Sequence, residues 1–156
     1  MQTMTDKRME NPAVLLPETM KAIPYLLGGI REGGLTDEMG ELVSLRASQI
    51  NGCGACVYGH VHALRKLGVA NERIDTAAVW RHSPFFSEKE RVALEMTEVV
   101  TRQADSPSDP VSDELWGRAQ LHFEEKELAA LILSIGLINF FNRINVTVQE
   151  PAGQLW

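Results

Sequence analysis

Positive charge is in short supply. Fifteen Lys and Arg against 21 Asp and Glu leave a formal net charge of −6. No basic face is available for a phosphate backbone, so no nucleic-acid partner is expected. Long apolar runs are lacking too. The most apolar stretch, Leu128–Asn142, has fifteen uncharged residues, whereas a bilayer-spanning helix needs ~20, and no membrane association is expected. The first twelve residues carry Lys7, Arg8 and Glu10 with no apolar core behind them, unlike a secretory leader. The expected compartment is therefore the cytoplasm. Cysteine is scarce, with two in 156 residues, too few for a disulfide scaffold. A chain of this length buries ~70% of its unfolded surface and needs no such staples. Period-two alternation is missing, and the one Asn-Gly pair, Asn51-Gly52, ends a helical pattern rather than joining strands. There is no internal repeat and no low-complexity segment. What remains is an all-α, single-domain reading of residues 1–156, with 1–12 loosely held. Its 44% hydrophobic and 23% charged content is ordinary for a globular domain.

Local signals divide the chain into six or seven helices. Pro17-Glu18 starts one, which Pro24 should kink or restart and which the glycines at 28–29 and 33–34 weaken and end. Thr36-Asp37-Glu38 offers a capping hydroxyl followed by acids at the positive end of the dipole, and that helix should run to about Ile50. After Asn51-Gly52 a second helix should run from near Cys53 to Leu67, stopped by Gly68. So short a link predicts a central antiparallel helix hairpin. Asn71 should cap a short helix to about Trp80, broken at Ser83-Pro84. Ser87-Glu88-Lys89-Glu90 fits a capping box, opening a helix to about Gln103. A loop over 104–111, a helix from Ser112 to His122, and an apolar last helix from about Glu124 to Arg143 complete the reading.

Both cysteines fall within Cys53-Gly54-Ala55-Cys56, and the eighteen residues between Arg46 and Arg65 contain no Lys, Arg, Asp or Glu but do contain His60 and His62. A charge-poor segment with two thiols and two imidazoles suits a partly buried site, though a plain core hairpin would look similar. Cys53 and Cys56 share a face at a helix start, where free N–H groups and the dipole favour thiolate. His60, four residues after Cys56, stands ~5–6 Å away between Cβ atoms and can accept its proton. Glu41 lies ~15 Å before the turn at Asn51, and His60 ~13.5 Å after it, so the two are nearly level on adjacent helices. Alone, Glu41 reads as an exposed first-turn acid and His60 as a structural histidine; together with the cysteine pair they point to chemistry. His62 and His82 read as structural or surface residues, and Trp80, Phe85 and Phe86 as core or a pocket mouth. The helix N-terminus favours Cys53 as the attacking sulfur, whereas contact with His60 favours Cys56.

The run from Glu41 through Arg46, Ser48-Gln49, Asn51-Gly52-Cys53 and Cys56 to His60 resembles the signature of the AhpD-like alkylhydroperoxidases, within the carboxymuconolactone decarboxylase superfamily. Ala78–Arg81 with Pro84–Arg91, and Ile138–Asn145, resemble two further blocks of these proteins in the same order. The resemblance spans roughly residues 35–147, with a redox core at about 35–103. It implies an all-α fold assembling as homo-trimers or hexamers, and hydroperoxide reduction by the cysteine pair with the glutamate and histidine relaying protons. By position these are Glu41, Cys53, Cys56 and His60, with Cys56 attacking and Cys53 resolving. It also implies an external dithiol or lipoyl-type reductant and no bound cofactor. Where the founding peroxidase has a histidine between its cysteines this chain has Ala55, and the true decarboxylases lack the cysteine pair. Two other readings stay open. Cys53, Cys56 and His60, with His82 or another subunit, could hold zinc, or the pair could sense redox state without turnover.

Overall fold

Several helix starts in this chain are set by side chains that take up otherwise unpaired backbone N–H groups. Thr36, Ser87 and Ser112 each accept from the N–H three residues on, and Ser87 forms a reciprocal capping box with Glu90. In the computed structural model, which describes residues 6–155, these signals delimit eight α-helices. They are α1 (Pro12–Leu15), α2 (Pro17–Glu32), α3 (Asp37–Asn51), α4 (Gly54–Lys66), α5 (Asn71–Thr76), α6 (Glu88–Thr101), α7 (Asp113–His122) and α8 (Glu125–Val148). Single 3₁₀ segments lie at Ala77–His82 and Gln103–Asp105, and no strand occurs among the described residues.

The expected six or seven helices become eight because Asn11 and Pro12 open an additional turn. The Asn11 side chain caps it by accepting from the Ala13 N–H, and proline suits the first helical position. Of the segment 1–12, residues 1–5 lie outside the described residues. Beyond them the Arg8 N–H donates to the Val148 carbonyl at 2.8 Å. α2 is one helix across Pro24, so of the expected kink or restart the restart does not occur. No residue of α2 is buried, so water can serve the Met20 carbonyl that proline leaves unpaired. Asn71 is the first residue of α5 rather than its cap, and the turns up to His82 tighten into 3₁₀ geometry. α8 continues five residues past Arg143, to a left-handed stop at Gln149 (φ 58°).

α3 is the centre of the bundle. It packs on α4, α6 and α8, and seven of its residues are buried. Val43 joins Met96, Leu131 and Ile135 in one core cluster, while Leu42 and Leu45 join Leu64, Trp80 and Leu94 in a second. Burying each such side chain contributes about 1.5–3 kcal/mol. At Gly33 the end of α2 comes so close to α8 that a Cβ would overlap the Ala130 methyl and the Lys126 carbonyl.

α8 is long and apolar enough, by length and composition, to cross a membrane. Here it is a central helix, carrying asparagines at 139, 142 and 145 on one stripe. Asn142 is fully buried and donates to Ser48 Oγ at 3.0 Å. Its carbonyl oxygen, and that of Asn139, accept from Asn51 at 3.0 Å. These bonds tie the C-terminus of α3 to α8 and so fix the hairpin turn.

Candidate active site

The α3–α4 link is two residues, Gly52 and Cys53. Gly52 takes φ 68°, a left-handed conformation that glycine adopts without steric cost. The chain then reverses so that the Cys53 N–H donates to the Ser48 carbonyl at 3.0 Å. Cys53 is the N-cap of α4, and its Sγ accepts from the Cys56 N–H at 3.2 Å. One turn further on, Cys56 lies with its Cα 5.2 Å from that of Cys53, and the two are joined as a disulfide. Both are buried.

From α3, Glu41 reaches across the hairpin to His60 of α4, with Oε2 2.7 Å from Nδ1. Both side chains are partly exposed. A carboxylate at Nδ1 fixes the tautomer: Nδ1–H donates to Glu41, and Nε2 is left to exchange a proton elsewhere. The helix register that makes Glu41 and His60 level thus also turns them face to face.

Beside this pair opens a cavity of about 590 Å³. Cys56, His60 and Glu41 all line it, whereas Cys53 does not. The opposite walls are apolar, from Val14, Met20 and Ile23 of the first two helices and Ile138, Phe141 and Ile144 of α8. Cys56, Glu41 and His60 thus face a largely apolar chamber, and of the two cysteines only Cys56 lines it.

Asn145 and Asn11 also line the cavity, and neither was singled out from sequence as a functional side chain. Asn145 donates from Nδ2 to Cys56 Sγ at 3.3 Å, and its Oδ1 accepts from Asn11 Nδ2 at 3.2 Å. The available signal was the three-residue spacing of 139, 142 and 145 in an apolar helix, a polar stripe that needs partners. Nothing in the sequence near Asn11 announces its role beyond a helix start.

Other candidates fall elsewhere. His62 is exposed at the cavity rim. His82 is exposed at the end of a 3₁₀ segment and does not line the cavity. Trp80 and Phe86 are buried in the core, while Phe85 is half-exposed. For zinc, the disulfide takes up both sulfurs that would have to ligate as thiolates. No cluster of three or more His, Cys, Asp or Glu side chains suited to a metal occurs among the described residues.

The fold is thus all-helical, with a CxxC disulfide at a hairpin turn beside a Glu–His pair. Residues 17–99 match the carboxymuconolactone decarboxylase family, and the chain belongs to that family as an AhpD-like member. It is 34% identical over 138 residues to the uncharacterized protein YdfG of Bacillus subtilis strain 168, covering 88% of this chain and 92% of the relative. It is also similar to a solved Agrobacterium tumefaciens protein of unknown function proposed as the antioxidant defence protein AhpD. There the TM-score is 0.85 at 34% identity, over 96% of this chain and 99% of that one. A peroxidase-related protein from Ralstonia eutropha JMP134, described as an alkylhydroperoxidase AhpD core, shares the fold. Its TM-score is 0.76 at 19% identity, over 91% of this chain and 74% of that one.

Proposed function

We propose that this chain is a thiol-dependent peroxidase that reduces organic hydroperoxides, with Cys56 as the attacking sulfur and Cys53 as the resolving one. The observation that carries the reading is that Cys56, but not Cys53, lines the cavity together with a histidine already hydrogen-bonded to a glutamate. In the reduced protein His60 Nε2 takes the Cys56 proton. The thiolate attacks the O–O bond, and the alkoxide leaves as an alcohol with the proton returned through His60. Cys56 is then a sulfenic acid. Cys53 condenses with it, releasing water and forming the disulfide. An external dithiol, of lipoyl type if the resemblance extends so far, reduces the disulfide by exchange and is itself oxidised. The family name speaks of decarboxylation, but a cysteine pair beside a proton relay supports redox chemistry instead.

The direct test is anaerobic reduction followed by one equivalent of cumene hydroperoxide. Both thiols of the chain are expected to disappear, with an intact mass lower by two hydrogens, and a dithiol should sustain further cycles. Surviving thiols would overturn the reading, while a single oxidation that no dithiol recycles would make the pair a sensor.

Glu41 is assigned the role of holding His60 and stabilising its protonated form. Glu41→Gln keeps the shape but removes the charge, and should slow the peroxide-driven thiol loss by about a hundredfold, at the lower end of general acid–base contributions. Stopped-flow rates equal to those of the unaltered protein would detach Glu41 from the chemistry.

The proposal extends to a homo-trimer or hexamer in a reducing compartment such as the cytoplasm. What supports assembly is α2, none of whose residues is fully buried within the chain, and the exposure of Tyr25 and Leu26 on α2 and of Leu133 and Phe140 on α8.

A further inference from the structure

The two sulfurs each receive one N–H, but from different sources. Cys53 Sγ receives the Cys56 backbone N–H, a donor that any helix N-cap position supplies. Cys56 Sγ receives a side-chain amide from α8, 89 residues away in sequence. Asn145 is buried, so an amide donor aimed at sulfur in a site with few competing acceptors is an energetically consequential contact.

An amide could in principle face the sulfur with either end, and here the surrounding bonds decide which. The Ala13 N–H can only donate, so Asn11 must turn Oδ1 toward it, at 2.9 Å. Asn11 Nδ2 then faces Asn145, which must answer with Oδ1 at 3.2 Å. That leaves Asn145 Nδ2 for Cys56 Sγ. A backbone donor in the first turn of α1 thus sets the polarity of the whole chain of bonds.

We propose that Asn145 is a thiolate-binding residue of the site, and that Asn11 is a positioning residue acting through it. When Cys56 is reduced, the fixed N–H favours the anion over the thiol, because hydrogen bonds to charged groups are the stronger ones. This deepens the peroxidase reading and rests on it for its consequence in turnover. The acidity of Cys56 is measured without peroxide.

Other groups act on that sulfur. His60 of α4, paired with Glu41 of α3, and Cys53 at the start of α4 are its ionisable neighbours, with His62 and Lys66 further along the cavity wall. The cavity residues contributed by the first two helices and by α8 carry no charge. Asn145 is therefore the polar influence from that side.

The experiment is a thiolate titration by ultraviolet absorbance in a Cys53→Ser background, where Cys56 alone titrates. Asn145→Leu should raise the Cys56 pKa by about one unit, the lower end of what a bond to a charged group contributes. Asn11→Asp keeps the Ala13 bond but offers a second oxygen to Asn145, forcing its amide to turn and present oxygen to the sulfur. It should raise the pKa as well, and by much less once Asn145 is already leucine. The double-variant cycle removes the direct effect of the added charge. In the protein with Asn145 and Asn11 intact, the Asn145 side-chain amide proton resonance should titrate with the Cys56 midpoint, a readout that needs no change in the core. An unmoved pKa in Asn145→Leu, or an Asn145 amide indifferent to Cys56 ionisation, overturns the proposal. If the titrations move as stated but hydroperoxide consumes no thiol, the acidity assignment stands and the peroxidase reading falls.

Discussion

Cys56→Ser is expected to abolish peroxide-dependent turnover, by at least about a thousandfold, the scale on which enzymes lose rate when their nucleophile is removed. The partner substitution Cys53→Ser should behave differently. Cys56 remains in the cavity beside His60, so one equivalent of peroxide is consumed in a fast phase and Cys56 stops at the sulfenic acid, unable to form the disulfide. Cys56→Ser should show no fast phase, because Cys53 is buried and does not line the cavity. Its position at the helix N-cap does not make it reachable from the cavity. Trapping the sulfenic acid with a dimedone-type reagent distinguishes the two variants by mass. A fast phase retained in Cys56→Ser and lost in Cys53→Ser would exchange the roles. Turnover retained in both would remove the cysteines from the reaction.

That the helix N-terminus and the imidazole favour different sulfurs was legible from spacing, and spacing alone could not choose. What favours Cys56 in the proposed reading is access, a property of tertiary packing, since the cavity wall comes from α1, α2 and α8 as well as from the hairpin. The meeting of Glu41 with His60 was half legible. Counting residues from the turn made them level; that they also face each other, at 2.7 Å, depends on how the two helices are rotated about their axes, which spacing does not state. Helix starts with Ser or Thr at the cap were readable because the cap is a local interaction. Whether the chain restarts at Pro24 depends on exposure, which sequence does not state. The end of α8 is expected at about Arg143, whereas the helix continues to Val148. Asn145 is instead a buried part of the site. Asparagine in an apolar helix was the visible sign, and its partners, 134 and 89 residues away, were not.

The largest expected effect on stability lies on a different face of α3. Arg46 Nε donates to Glu98 Oε1 at 2.9 Å with both side chains nearly buried. Trp80 Nε1 donates to the same oxygen at 3.0 Å, and Arg81 to the other. Burial pushes the Glu98 carboxyl pKa up, but the hydrogen bonds from Arg81, Trp80 and Arg46 outweigh it and hold the group below its ordinary value of 4.5. The folded state thus binds this proton more weakly than the unfolded chain. The resulting stabilisation is present above the unfolded value and is lost as pH falls through the lower folded one. Glu98→Gln removes the charge and leaves Arg46 buried without a counterion. The expected cost is about 3 kcal/mol, the lower end for breaking a buried pair from one side, since the amide oxygen can still accept from Trp80. Urea unfolding at pH 7 should show it as a lower midpoint at unchanged slope, and the difference should shrink as pH falls below 4.5 and through the lower folded-state value at which Glu98 of the unaltered protein protonates. Adding Arg46→Met should then recover about 1–2 kcal/mol, because the penalty belongs to the unpaired cation rather than to lost packing. A single variant that unfolds no earlier, or a double variant less stable than the single, would show that solvent already compensates the pair. Arg46 and Glu41 are five residues apart on α3 and so project in different directions. Below its melting temperature, Glu98→Gln should therefore leave the rate of peroxide-driven thiol loss unchanged, which separates what holds the hairpin in the bundle from what the hairpin does.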